Sequence, residues 1–289
     1  YLMMRRGLRS HFLFFNLGGT AHEVGVRQVA HYLWQRYGAS HSVKFISVPF
    51  DGVVAEIMRA VNHRHWGVVL KRQMLKAAGE IARELGVAGL VMGDAVAQVS
   101  SQTLSNLNVV DRATGEVVLR PLIAMDKQDI IALARQIGTE PFARTMPEYC
   151  GVISQKPATR AKLDRVEADE ANMDPQVLAN AVAARVETPV HALMDSTSTP
   201  EEIELVRTPS VGDVVIDIRH PAEEEREPLT LTNNEVLKIP FYELNQRMEA
   251  LPRDRQYLLF CDRGTMSRLH AGHLKAEGYD NVKVYSPAA

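Results

Sequence analysis

Between His11 and Met92 the chain alternates short apolar runs with stretches of helical periodicity, and this alternation constrains the fold more than any other feature. His11 to Leu17 is a Phe-rich run suited to a buried strand, broken by Gly18-Gly19-Thr20 before a helical pattern from His22 to about Tyr37. Val43 to Val48, closed by Pro49, predicts a second strand. Val53 to Val61 and Val68 to Leu85 predict helices, with Gly86 ending the latter, and Ala88 to Met92 predicts a third strand before Gly93-Asp94. Strands separated by helices of this length imply right-handed crossovers and an α/β fold with a mostly parallel, helix-covered sheet. Ligands in such sheets bind at the carboxyl ends of strands. That rule directs attention to Asn16–Thr20, Pro49–Asp51 and Gly93–Gln102.

The pattern changes from about Thr159 to Arg207, where acidic and alanine-rich helical stretches surround a turn at Asp174-Pro175 and precede the polar run Asp195 to Pro200. Residues 166–208 read as a partly helical linker between a first domain, 1–165, and a second, 209–287. A fresh alternation opens the second domain, with Asp213 to Arg219 as a strand ending in charge. Gln256 to Phe260 is a strand that runs into Cys261, Ser267 to Glu277 is a helix, and Val282 to Tyr285 is a last strand.

Only two cysteines occur, Cys150 and Cys261, too few for a disulfide framework. Such usage points to a cytoplasmic protein whose thiols matter individually. The formal net charge of −2 gives no global basic field, so any nucleic-acid contact comes from a local patch or from elsewhere. No apolar run approaches the roughly 18 residues of a membrane span, so no membrane association is expected.

Cys261 stands at the end of a predicted buried strand, before a glycine-containing turn and a helix. Backbone N–H groups and a helix N-terminus converge on such a point and favour an anion there. A thiolate or persulfide at Cys261 is stabilised by that arrangement, with help from Arg263 and Arg268 where they point inward. The alternative is a buried inert thiol, common for a lone cysteine.

Asp217-Ile218-Arg219, the Cys261-to-Gly264 loop and Ser267-Arg268 resemble the opening strand and active-site loop of the rhodanese fold. In that resemblance Cys261 is the persulfide-bearing position, and Asp217 with Arg219 braces the loop. The first half adds Phe15-Asn16-Leu17-Gly18-Gly19, Leu70-Lys71-Arg72, Val91-Met92-Gly93-Asp94, Gln98 to Leu104, Arg120 to Lys127, and Met146-Pro147-Glu148-Tyr149-Cys150-Gly151. Together these resemble the tRNA 4-thiouridine synthetase, or tRNA sulfurtransferase, family across essentially the whole chain.

The resemblance implies a PP-loop ATP pyrophosphatase domain over 1–165 and a rhodanese domain over 209–287. It implies ATP, with Mg as counter-ion, as the cofactor, and no tightly bound metal. Lys71, Gly93 and Gln102 then contact ATP, and Lys127 assists adenylation of a tRNA uridine by neutralising phosphate charge. Read without the resemblance, Lys71 is a solvated helix face and Lys127 a surface charge at a helix start. Cys150 corresponds to a resolving thiol that forms a disulfide with Cys261 after sulfur has left. A plain buried cysteine is the alternative for Cys150. The implied partners are tRNA, a cysteine desulfurase that loads Cys261, and a sulfur-carrier protein of the thiamine pathway.

Tyr1 to Gly7 reads as the end of a helix, with Gly7 in the capping position. The chain is therefore expected to be a piece of something longer, with the glycine- and serine-rich PP-loop and the N-terminal tRNA-binding domains, THUMP included, ahead of it. Three rival functions stand beside the tRNA enzyme. They are a stand-alone rhodanese-type persulfide relay, a non-enzymatic scaffold, and a different PP-loop enzyme such as an amide-forming synthetase.

Overall fold

The Phe-rich run forms strand β1 (Phe12–Asn16), followed by helix α1 (Thr20–Tyr37), strand β2 (Lys44–Pro49) and helices α2 (Asp51–Ala60) and α3 (Trp66–Leu85). These bounds belong to a computed structural model that describes residues 1–17, 20–145, 157–193, 203–219, 221–241, 243–262 and 264–287. The chain divides into two compact units, one of Tyr1–Leu17 with Gly25–Ser196 and one of Gly18–Val24 with Thr197–Ala289. Ahead of β1, Met4–Arg6 is a single tight helical turn closed by Gly7 at φ 83°, a conformation that favours glycine because it has no Cβ.

In the first unit β1 and β2 pair in parallel, from Phe12 opposite Phe45 to Asn16 opposite Pro49. Their carboxyl ends finish level, joined by the Phe50 N–H donating to the Asn16 carbonyl at 2.9 Å. Phe14, Ala30, Val43, Phe45, Val190 and Leu193 pack into one apolar cluster. Helix α3 buries Val68, Val69, Leu75, Ala78 and Ile81, a helical stripe facing the core. Strand β3 (Leu90–Val91), helix α4 (Leu104–Asp111), strand β4 (Val118–Leu119) and helices α5 (Lys127–Ile137) and α6 (Glu140–Thr145) follow. β3 and β4 form a separate two-stranded parallel sheet. The strand expected over Ala88–Met92 is short because β4 offers only two residues to pair with it.

The reading of 166–208 as a linker is corrected for residues 166–193. Helices α7 (Leu163–Glu170) and α8 (Pro175–Ala183) and strand β5 (Val186–Pro189) belong to the first unit. β5 pairs antiparallel with β2, so the sheet β1-β2-β5 carries an antiparallel edge and is not uniformly parallel. Asp164 and Glu167 of α7 face solvent, while Val166 and Val182 are buried. The Glu170 side chain is only 8% exposed, its two oxygens meeting Arg72 Nε and NH2, both at 3.0 Å, with Gln73 at 3.0 Å and Lys76 at 2.9 Å. Burial pushes the Glu170 carboxyl up, but the bonds from Arg72 and Lys76 outweigh it and hold it below its ordinary value.

The second unit contains β6 (Leu205–Val206), β7 (Val214–Asp217), α9 (Pro221–Arg226), β8 (Glu235–Lys238), α10 (Leu244–Met248), β9 (Tyr257–Phe260), α11 (Thr265–Ala276) and β10 (Val282–Tyr285). Its strands lie in the order β6-β10-β9-β7-β8, every pair parallel. Val214, Val215, Ile216, Leu258 and Leu259 are wholly buried, as the central strands of a parallel sheet covered on both faces must be. Asp217 is the register partner of Phe260, so the segments that leave β7 and β9 start side by side. No helix among the described residues is long and apolar enough to cross a membrane.

Candidate functional site

Two groups of chemistry-bearing side chains stand at strand ends, one in each unit. In the first unit the segment after β3 is a tightly bonded loop. The Ala97 N–H donates to the Gln102 carbonyl at 3.1 Å and the Gln102 N–H to the Val99 carbonyl at 2.9 Å. Ala97 takes φ 63°, an uncommon conformation for a residue with a side chain. Wholly buried Asn106 pins the loop through the Ser100 and Ala158 carbonyls, at 2.7 and 2.8 Å, and accepts the Ala161 N–H at 2.9 Å.

This loop and α3 bring two of the predicted ATP-contacting residues together around one carboxylate. Asp94 is 2% exposed, and its Oδ1 accepts from Lys71 Nζ at 2.5 Å and from Gln102 Nε2 at 3.2 Å. Its Oδ2 accepts from Arg120 Nε at 3.1 Å, and the Arg120 fork bonds Asp111 at 2.5 and 3.0 Å. Burial weakens the charged form of Arg120, but the bonds to Asp111 and Asp94 prevail and raise its pKa. Gly93 borders open space, since a Cβ placed there meets nothing within 4 Å. Gln102 Oε1 is shielded from solvent and has no partner among the described residues. A buried acceptor without a donor is a group that a bound ligand could satisfy. Lys127, the exposed first residue of α5, is not among the groups bonded to Asp94.

Asp94 and Arg120 have no role assigned by sequence reasoning, although both fall within the stretches that carry the resemblance. An acidic residue three positions after a strand, followed by an isolated arginine directly after another, is the available signal. It gains meaning only when the fold brings the two together.

In the second unit β9 delivers Cys261, a half-buried free cysteine, to the start of α11. Gly264, at φ 68°, makes the turn, with its N–H donating to the Cys261 carbonyl at 3.1 Å. The Ser267 N–H, in the first turn of α11, points at Cys261 Sγ from 3.4 Å, and Ser267 Oγ lies at the same 3.4 Å. Ser267 Oγ also donates to the Gly264 carbonyl at 3.2 Å, which ties the turn to the helix. A hydrogen-bond donor and the first turn of a helix thus face the sulfur.

Arg219 braces this loop as expected. It is 6% exposed and bonds both oxygens of Asp217, NH2–Oδ2 at 2.7 Å, and also Asp262 Oδ1 at 2.8 Å and the Glu227 carbonyl at 2.9 Å. The bonds it donates to Asp217 hold the guanidinium above its ordinary value against the effect of burial. Arg268 is exposed. Arg263 and Cys150 lie outside the described residues.

A family model described as "Thiamine biosynthesis protein (ThiI)" matches residues 1–174. Over 288 residues the chain is 78% identical to the tRNA sulfurtransferase of Marinobacter nauticus, a match spanning 100% of this chain and 60% of that protein. It is 55% identical over 288 residues to the tRNA sulfurtransferase of Pseudomonas aeruginosa, again 100% of this chain and 60% of the relative. The one from Azotobacter vinelandii is 54% identical over 285 residues, 99% of this chain and 59% of the relative. The chain thus spans about 60% of the length of these relatives. Among solved structures, a 4-thiouridine synthetase in complex with RNA and with bound ATP is similar at a TM-score of 0.59 and 25% identity. That match covers 64% of this chain and 49% of the other. With the family model matching more than half of its length, this α/β chain belongs to the ThiI family of thiamine biosynthesis proteins.

Proposed function

We propose that the chain is the catalytic portion of an ATP-dependent tRNA sulfurtransferase that makes 4-thiouridine. The first unit, through residue 193, supplies part of an adenylation domain of PP-loop type, and 209–287 supply a rhodanese domain. The observation that carries this reading is Cys261, at the end of a central parallel strand with the Ser267 N–H directed at its sulfur from 3.4 Å.

In this reading Lys71, Gly93 and Gln102 hold ATP, and Lys127 neutralises charge on the phosphates while the uridine O4 attacks the α-phosphorus and pyrophosphate leaves. Cys261 receives a sulfane sulfur from a cysteine desulfurase. The terminal sulfur of its persulfide attacks the activated C4, and AMP departs with the original oxygen. The Cys150 thiolate then attacks Cys261 Sγ, breaking the sulfur–sulfur bond so that the transferred atom stays on the base. A Cys150–Cys261 disulfide remains, and a two-electron thiol reductant reopens it. The family description supports a second acceptor, the sulfur-carrier protein of the thiamine pathway.

The test is mass spectrometry of Cys150 and Cys261 in the full-length protein before and after a single turnover with ATP and tRNA. A Cys150–Cys261 disulfide formed in step with thiouridine supports the scheme. Thiouridine formation without that disulfide removes Cys150 from the resolving role.

A further inference from the structure

We infer that Asp94 is a positioning residue: it fixes the polarity of the Gln102 amide, so that the site presents a hydrogen-bond acceptor and selects a nucleotide carrying a donor at that point. The inference rests on the ATP reading above and deepens it.

A glutamine amide has a donor end and an acceptor end, and a half-turn of the group exchanges them. A carboxylate only accepts. Because Asp94 Oδ1 lies 3.2 Å from the amide, the nitrogen must face it and the carbonyl oxygen must face away. That oxygen, Gln102 Oε1, is the one shielded from solvent without a partner among the described residues. A buried acceptor with no donor is costly, and a donor brought by a ligand relieves the cost.

The rest of the cluster keeps this polarity from relaxing. Lys71 Nζ holds the same Asp94 oxygen at 2.5 Å, and Arg120 Nε holds the other at 3.1 Å. Arg120 is itself locked onto Asp111, so Asp94 cannot rotate without breaking several bonds. The Gln102 backbone is held as well, through its carbonyl to the Ala97 N–H at 3.1 Å. At Gly93, next in sequence to Asp94, a Cβ would meet nothing within 4 Å, so the backbone beside the cluster is open. The group that meets Oε1 is therefore a donor, either the exocyclic amine of adenine or a ribose hydroxyl. A base carbonyl in that place faces oxygen with oxygen.

Calorimetric affinities of the full-length protein for ATP, inosine triphosphate and 2′,3′-dideoxy-ATP test the inference, because the two analogues remove the amine and the hydroxyls separately. The expected result is that one analogue binds about ten- to a hundred-fold more weakly than ATP. Asp94→Asn, which lets either end of the Gln102 amide face residue 94, reduces that preference to about twofold or less. Gln102→Met, which removes both ends on a surface loop, abolishes it and covers the case in which Asp94→Asn does not fold. If ATP and both analogues bind the parent protein alike, or if either folded variant keeps the full preference, the inference is overturned while the ATP reading stands. If the parent protein binds none of the three, the ATP reading itself fails.

Discussion

Arg219 NH1 donates to Asp262 Oδ1 at 2.8 Å, joining the segment that leaves β7 to the residue immediately after Cys261. The same guanidinium closes on Asp217 and lies 5.0 Å from the centre of the Phe260 ring. Two acidic groups and the end of β9 therefore depend on one buried cation.

Removing that cation strands the Asp217 carboxylate, which is 2% exposed. Arg219→Met is expected to cost about 3–5 kcal/mol, the range for breaking a buried ion pair by deleting one partner. Asp262→Asn, at a side chain 47% exposed, is expected to cost about 1 kcal/mol or less. Urea denaturation of both variants checks this. Equal small losses would show that the Arg219 network does not hold the loop.

The Glu170 carboxyl gives a pH dependence of defined sign. Its folded-state pKa lies below its ordinary 4.5, so the stabilisation it gives is fully present above that value and is lost as pH falls through the lowered one. Glu170→Gln is expected to destabilise by about 3–5 kcal/mol at pH 7, because it leaves Arg72 buried without its carboxylate. In acid the variant should lose less further stability than the parent. Denaturation midpoints across that range decide the matter, and parallel acid limbs for the two proteins would exclude Glu170 as a contributor.

Much of the fold was legible because it is local. β10 begins and ends where the apolar run Val282–Tyr285 does, and β2 and α3 lie within two residues of their predicted bounds. Cys261 was legible for the same reason, since a strand, a glycine turn and a helix stand consecutively around it. β5 was hidden because Glu187, Thr188 and Pro189 make a strand only when a distant partner, β2, supplies the pairing. The role of Glu170 was hidden because its four donors come from α3, far away in sequence. The Asp94 cluster was hidden in the same way. Lys71, Gln102 and Arg120 arrive from three separate segments, and only the family resemblance marked two of them.

Lys127 separates the tRNA enzyme from a bare persulfide relay. In the full-length protein Lys127→Ala is expected to lower thiouridine formation by about a hundredfold or more, the scale for losing an electrostatic partner of a transition state. Sulfur loading of Cys261 should be unchanged, because Lys127 starts α5 in the first unit and the thiol lies in the second. A parallel assay of thiouridine in tRNA and of sulfur on the protein reads both. Undiminished thiouridine would remove Lys127 from the adenylation step.

The central claim, that Cys261 carries the sulfur, is tested most directly by incubating the full-length protein with a cysteine desulfurase and isotopically labelled cysteine, then weighing the Cys261 peptide without reduction. The expected result is a gain of one labelled sulfur atom on that peptide in the parent protein and in Cys150→Ser, and none in Cys261→Ser. Label found on Cys150 instead, or retained by the protein when Cys261 is replaced, would contradict the account.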